Sequence, residues 1–268
     1  MNKHLLLFCC IVGLLSLGCE EVVILDLDTA AERLSIDARI KKNSNSNDPQ
    51  LIRLSLTGGY YDETINWVTD AEVEIIELDN NVLYVFEHDI NNPGHYLLDF
   101  TPSFDLNYQL RITYQGELYE SIVEQLIPSV PFDSLTQGNE TLFEGNEIEV
   151  IVTFTDDGSR EDFYVLDFGY NNFLATKDEF YQGNAFTFSY FYNELEAGDT
   201  AEITLCGADE TYFNFMSAII EQTEEGGDPF KTTPTTVRGN IYNSSRAEHY
   251  PMGYFSMAES YTASLLIE

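Results

Sequence analysis

The chain has 268 residues, with 46 Asp and Glu against 12 Lys and Arg, for a formal net charge of −34. That balance excludes nucleic acid as a partner, because such binding rests on Lys and Arg at phosphates, and it excludes adsorption to anionic lipid through basic clusters. The acids are spread over the whole chain and read as a well-solvated surface; a divalent cation or a cationic ligand is the other reading the charge allows.

Met1 to His4 is weakly basic, and the apolar run Leu5 to Leu15 follows it. The run is too short to span a bilayer, which takes about 20 residues. It closes on Leu15-Ser16-Leu17-Gly18-Cys19, and the acidic pair Glu20-Glu21 begins at once. Residues 1–18 therefore read as a signal peptide, Cys19 as the lipid-attachment residue at the start of the mature chain, and residues 19–33 as a tether. No later segment is long and apolar enough to span, so membrane attachment falls to the N-terminus. Of the four cysteines, Cys9 and Cys10 leave with the signal and Cys19 carries lipid. Cys206 is then alone, no intramolecular disulfide is possible, and the fold must stand on its core.

From Leu34 a series of strand-like runs follows: 34–40, 51–57, 71–78, 82–88, 95–100, 108–114 and 118–125. Turn residues bound most of them, including Gly58-Gly59, Asp79-Asn80-Asn81 and Asn91 to Gly94. The 17 Tyr and 18 Phe of the chain favour strands. Seven short strands with turn chemistry between them predict an immunoglobulin-like β-sandwich over 34–127. Tyr108 has the position of a tyrosine corner. Pro128 and Pro131 mark a connector, and residues 128–268 are expected to form an antiparallel β domain with one helix. Its strands are expected at 146–156, 162–170, 184–192, 200–206 and 237–243, with two closing strands around 253–260 and 263–267. Phe186, Phe188, Tyr190 and Tyr192 share one strand face, as the core side of a sheet or as an exposed stacking platform. Asp209 is a good N-cap, Tyr212, Phe215, Met216, Ile219 and Ile220 recur at helical spacing, and Gly226-Gly227 is a stop, which predicts a helix over 209–223.

Little in the chain speaks for catalysis. There is no G-x-S-x-G elbow, H-E-x-x-H, P-loop or G-x-G-x-x-G. His88 and His95 flank the turn at Asn91 to Gly94 with Asp89 nearby, a conceivable metal site that reads better as exposed turn residues. His249 has no nucleophile near it in sequence. Cys206 lacks a neighbouring His or Lys and reads as a structural thiol. The turn Asp156 to Asp162 is the densest in acids but lacks the EF-hand pattern, and reads as a solvated turn. No catalytic, metal or cofactor residue is assigned.

Several stretches resemble known proteins. Cys19-Glu20-Glu21 looks like the start of Bacteroidota outer-membrane lipoproteins. Asp28-Thr29-Ala30, Asp133-Ser134-Leu135 and Asp199-Thr200-Ala201 look like O-glycosylation sites of that group. The strand-rich first half is similar to the domain of unknown function 4249 family. So are the Pro128–Pro131 junction with Phe132-Asp133-Ser134-Leu135, Phe163-Tyr164-Val165-Leu166, the stretch 235–243 and the closing Gly253-Tyr254-Phe255-Ser256. The resemblance implies an outer-membrane lipoprotein of the cell envelope, often encoded beside TonB-dependent receptors, and only Cys19 carries over as a functional position. The expected function is a non-catalytic, lipid-anchored protein that binds a ligand or a partner, with a TonB-dependent receptor as the implied partner. A surface glycan or peptide hydrolase and a structural or adhesive protein are the alternatives.

Overall fold

A computed structural model describes residues 31–43, 48–59, 64–142, 145–223 and 236–268. The protein is mainly β. The first half supplies β1 (Leu34–Asn43), β2 (Gln50–Leu56), β3 (Asn66–Trp67), β4 (Glu72–Glu77), β5 (Val82–His88), β6 (His95–Leu98), β7 (Asn107–Tyr114), β8 (Glu117–Ser121) and β9 (Glu124–Gln125). The second supplies β10 (Phe132–Gln137), β11 (Ile148–Thr155), β12 (Phe163–Asp167), β13 (Phe173–Lys177), β14 (Ala185–Tyr192), β15 (Thr200–Ala208), the helix α1 (Glu210–Thr223), β16 (Ile241–Asn243) and β17 (Met252–Leu266).

One hydrogen-bonded path joins most of them, in the order β13-β12-β15-β17-β1-β2-β6-β5-β4-β7-β8-β16. β5 pairs with β6 at one end and with β4 along the rest, so the sheet turns over on itself there. It closes round a core of Ile36, Ile40, Leu54, Ile75, Leu110 and Phe255, among others. This is the immunoglobulin-like sandwich expected of the first half. Its tyrosine corner is present, because the Ser103 N–H donates to Tyr108 Oη at 2.9 Å.

A separate three-stranded sheet, β10-β11-β14, covers the other end of the long one. Between them lies a second core that includes Val152, Phe154, Leu166, Ile203 and Leu205. The aromatic stripe of β14 faces this core: Tyr190 stacks on Phe168 with centroids 3.9 Å apart, and Phe186 stacks on Tyr181 at 4.4 Å. The stripe is therefore the core side of a sheet and no open platform. α1 begins where its cap was expected, with the Tyr212 N–H on Asp209 Oδ1 at 2.6 Å. It lays Tyr212 and Met216 over Val165, Ala208 and Tyr254, on the opposite face of the long sheet.

The structure departs from expectation at the join between the halves. β17 is one strand of 15 residues, where two were expected. No glycine or proline interrupts it after Gly253, and it has partners throughout: β1 in parallel from Met252 to Ser260 and β15 antiparallel from Ser260 to Leu266. The first core accordingly takes Ile241, Phe255 and Met257 from the far end of the chain. Residues 32–268 form one compact unit, so the two cores on either side of residues 127 and 128 share a sheet. β10 and β13 are strands that the sequence reading lacks. β10 is half exposed with no buried residue, and β13 is a short edge strand with no buried residue.

Gly253 sits at φ +102, and a Cβ there would lie 1.9 Å from the Ile36 carbonyl oxygen. Only glycine lets β17 enter alongside β1. Gly253→Ala is expected to cost about 2–3 kcal/mol, from left-handed strain plus the clash. A urea-denaturation midpoint unchanged from the parent would contradict this account of the join.

Candidate functional site

Strand alternation decides what the long sheet presents away from its cores. With Leu34, Ile36, Ala38 and Ile40 buried, β1 turns Ser35, Asp37, Arg39 and Lys41 to the other face. β2 does the same with Arg53 and Ser55, opposite Ile52 and Leu54. On β15 the buried Ala201, Ile203 and Leu205 leave Glu202 and Thr204 outward. β17 lies between β1 and β15, so outward side chains from both halves of the sequence meet. They line a cleft of about 750 Å³.

Ionic and polar ties hold its floor. Arg39 forks onto Asp37, with Nε to Oδ1 at 2.7 Å and Nη2 to Oδ2 at 3.0 Å, and its Nη1 reaches Asp167 Oδ2 at 3.5 Å. Arg53 Nη2 donates to the same Asp37 Oδ2 at 2.8 Å. Burial pushes the Asp37 carboxyl up, but the two guanidiniums outweigh it and hold it below the usual carboxylate range. Buried Gln50 ties the rim: its Nε2 donates to the Lys41 and Phe100 carbonyls at 2.7 and 3.0 Å, and its Oε1 accepts from the Lys41 N–H at 2.9 Å. Asn43 Nδ2 donates to Thr262 Oγ1 at 3.0 Å, and Thr204 and Thr262 share a hydrogen bond of 2.9 Å, a polar rung across β1, β17 and β15. Arg39, Lys41, Lys42 and Arg53 face Asp37, Asp48, Asp99 and Glu202 around the cleft. It is thus balanced in charge on a chain of net charge −34.

An apolar groove of about 370 Å³ adjoins this cleft and shares Asp37, Arg39 and Arg53 with it. Trp67, Phe173, Phe215 and Ile219 are among its lining residues. Gly94, at φ +75, explains where Trp67 sits: a Cβ on Gly94 would fall 2.4 Å from Trp67 Cε3, so the indole packs against bare backbone. Tyr212 and Tyr254 line the groove and also border a small void that holds Glu124 and Asp209.

Among the described residues, no His, Ser or Cys lines the polar cleft. Its best-defined carboxylate, Asp37, is held ionised by two arginines, the reverse of what a general acid needs.

A family model described as a domain of unknown function, DUF4249, matches residues 20–264. The chain belongs to that family. No curated protein matches the sequence. Among solved structures, this DUF4249 chain is similar to the chicken interferon gamma receptor alpha chain, at 14% identity over 65% of this chain and 87% of that one, with a TM-score of 0.21. It is similar to the FN1–FN3 domains of chicken CNTN1, at 10% identity over 61% and 57% with a TM-score of 0.20. A bacterial ice-binding adhesin matches at 10% identity over 88% and 63%, with a TM-score of 0.21. Likenesses at these TM-scores carry no argument about function.

Cys19, the one site residue read from the sequence, lies outside the described residues of this DUF4249 protein, as does Asp28-Thr29-Ala30. His88 pairs in register with Tyr96, and the Asp89 carboxylate is spent on the Asn91 N–H and Asn92 Nδ2. His249 contacts Glu117 Oε1 at 3.1 Å. Among the described residues, no group of three or more His, Cys, Asp or Glu is placed to hold a metal ion. Cys206 is a buried free thiol whose pKa burial raises. Ser134 and Thr200 are exposed.

The acidic turn is not simply solvated. Asp156 and Asp162 are buried, and both accept from Tyr164 Oη, at 2.7 and 3.1 Å, while Arg160 Nε donates to Asp162 at 2.6 Å. In the sequence reading, Tyr212, Phe215, Met216 and Ile219 stand only as a helix face and Tyr254 only in a family motif, and the residues of the cleft and groove carry no site role. Their signal is the polar half of each strand's alternation, which looks like any solvated face until β1 is placed beside β17.

Glu124 is buried, and Asn240 Nδ2 donates to its Oε1 at 2.6 Å. Burial, with the Asp209 carboxylate beside it, pushes Glu124 up to about 7. A carboxyl raised in the folded state favours folding below its ordinary pKa and loses that contribution as pH rises through the raised one. The parent should therefore lose on the order of 1–3 kcal/mol of stability from this group between about pH 4.5 and 7. Denaturant midpoints at about pH 5 and about pH 8 check it, because Glu124→Gln should flatten that part of the slope. An identical slope in the variant would show that Glu124 titrates normally.

Proposed function

We propose that the protein is a non-catalytic binding protein of the cell envelope, held to a membrane by lipid on Cys19, that takes its ligand in the cleft on the outward face of the long sheet. The observation that carries this reading is the cleft itself. At about 750 Å³ it lies within the range of ligand sites, and its lining offers donors and acceptors of both charges on rigid strands. A purely structural or adhesive protein has no need of such a cleft, and a hydrolase needs a protonatable acid where Asp37 is clamped. The leader-like residues 1–18 and Cys19-Glu20-Glu21 support the anchor, and the family resemblance supports a TonB-dependent receptor as the protein that would share the ligand.

Two measurements test the proposal. Cys19→Ala should move the protein from the membrane fraction to the soluble one, since stable attachment needs the acyl chains; a variant that stays in the membrane overturns the anchor. A panel of defined oligosaccharides and short peptides should contain a binder that Glu202→Lys weakens about tenfold, the usual size of one charged hydrogen bond. A panel with no binder, or binding indifferent to Glu202→Lys, overturns the cleft as the site.

A further inference from the structure

The groove beside the cleft has a composition of its own. Its charged residues are Asp37, Arg39 and Arg53, one acid and two bases, on a chain where acids outnumber bases 46 to 12. The three are not equally committed. Arg39 places Nε, Nη1 and Nη2 on Asp37 and Asp167. Both oxygens of Asp37 are taken. Arg53 gives only Nη2 to Asp37, and among the described residues its Nε and Nη1 have no protein partner. Its side chain is 39% exposed. A guanidinium anchored at one nitrogen, with its other donors open, is oriented to receive a second carboxylate.

Most of the rest of the groove is aromatic or aliphatic, with Ser35, Ser55 and Asn171 among it. Trp67 is 39% exposed and is backed by Gly94 and, edge-on, by His95 with centroids 6.0 Å apart. Phe215 and Tyr254 contact each other at 4.9 Å on the helix side. Large apolar residues that stay accessible beside an unspent cation suit a flat apolar body carrying an anionic group.

We infer that this groove is a binding subsite for an aromatic carboxylate, with the ring in the groove that Trp67, Phe173 and Phe215 line and the carboxylate on the open Nη1 of Arg53. The inference rests on the proposal that this face binds ligand, and it names the chemistry of one end of that ligand. Two sources share the chemistry: a free aromatic acid, and the C-terminal aromatic residue of a peptide whose preceding residues would run into the polar cleft.

Trp67 is the only tryptophan in the chain, so its emission reports on this groove alone. The full chain is titrated with hydrocinnamate, with its amide, and with a short peptide ending in Phe as free acid and as amide. At least one free acid should shift or quench the emission saturably and bind about tenfold more tightly than its amide, the cost of one charge-assisted hydrogen-bonded pair. Saturation by hydrocinnamate identifies a free acid as sufficient. Saturation by the peptide acid alone identifies a chain terminus. Arg53→Gln should bring the acid down to the level of the amide, and Arg53→Lys, which keeps the charge without the planar guanidinium that Asp37 orients, should fall between. Circular dichroism confirms that each variant is folded, and the acid–amide comparison in the parent stands without either. No saturable response to any free acid, or equal affinity for acid and amide, overturns the inference. If that occurs while the ligand panel still binds in a Glu202-dependent way, only the groove assignment fails and the cleft stands.

Discussion

The structure depends on one pairing, the parallel ladder between β1 and β17, which joins positions more than 200 residues apart in the sequence. Parallel strands cannot be joined by a hairpin and need a long connection; here almost the whole of the described chain is that connection. The pairing places Asp37 opposite Tyr254 and Arg39 opposite Ser256. It also lets β17 bridge the cores, giving Phe255 and Met257 to the first and Ile267, just past its end, to the second. The junction segment is caught on the same strand, where the Ile127 N–H donates to the Met257 carbonyl at 3.0 Å and the Ile127 carbonyl accepts from the Glu259 N–H at 2.8 Å. A joint made of main-chain bonds on both sides of β17 leaves the halves little freedom to move apart, so the cleft across it is laid out before any ligand arrives.

The ionic floor of the cleft should not be counted chiefly as stability. Pairs of this partly exposed kind contribute about 0–1 kcal/mol each. What Asp37 does is geometric. One carboxylate fixes the plane of Arg39 and anchors Arg53 on the neighbouring strand, and the Asp167 contact ties Arg39 to β12. The cost of gathering these charges is met by their mutual pairing, and the result is a pre-oriented polar surface with one arginine still open. Preorganisation of that kind cuts the ordering cost that binding otherwise incurs.

Much of the fold was legible, for local reasons. LSIDARI alternates with period two and is a strand with the expected inward residues. Asp209 followed by apolar residues at three- and four-residue spacing gave the helix Glu210–Thr223. Tyr108 marked its own corner. These signals lie within one element and its nearest contacts. The parallel join was not legible, because nothing in the alternation of β17 says which strand lies beside it. The continuity of β17 was missed for the same reason: its polar stretch Ser260 to Thr262 looks like a break, yet Ser260 is buried between partners on both sides. β13 was missed because it is short and lies at the edge of the sheet, with no residue fully buried to reveal a period.

The site was less legible than the fold, and the reason is physical. A binding surface on the outward face of a sheet uses the half of the alternation that sequence reading assigns to solvent. Asp37, Arg39 and Lys41 read as the wet side of β1, and so do Glu202 and Thr204 on β15. What separates this face from the others is where the scarce cations fall. Arg39, Lys41 and Arg53 are a quarter of the chain's 12 basic residues, and they share one face of two adjacent strands. On a chain this acidic, a solvated face has no reason to collect bases, since a uniform negative surface already keeps the protein soluble. Collecting them, answering them with Asp37, and leaving Arg53 open beside the only tryptophan is a pattern that solubility does not require and that the proposed ligand, polar with an apolar end, would use.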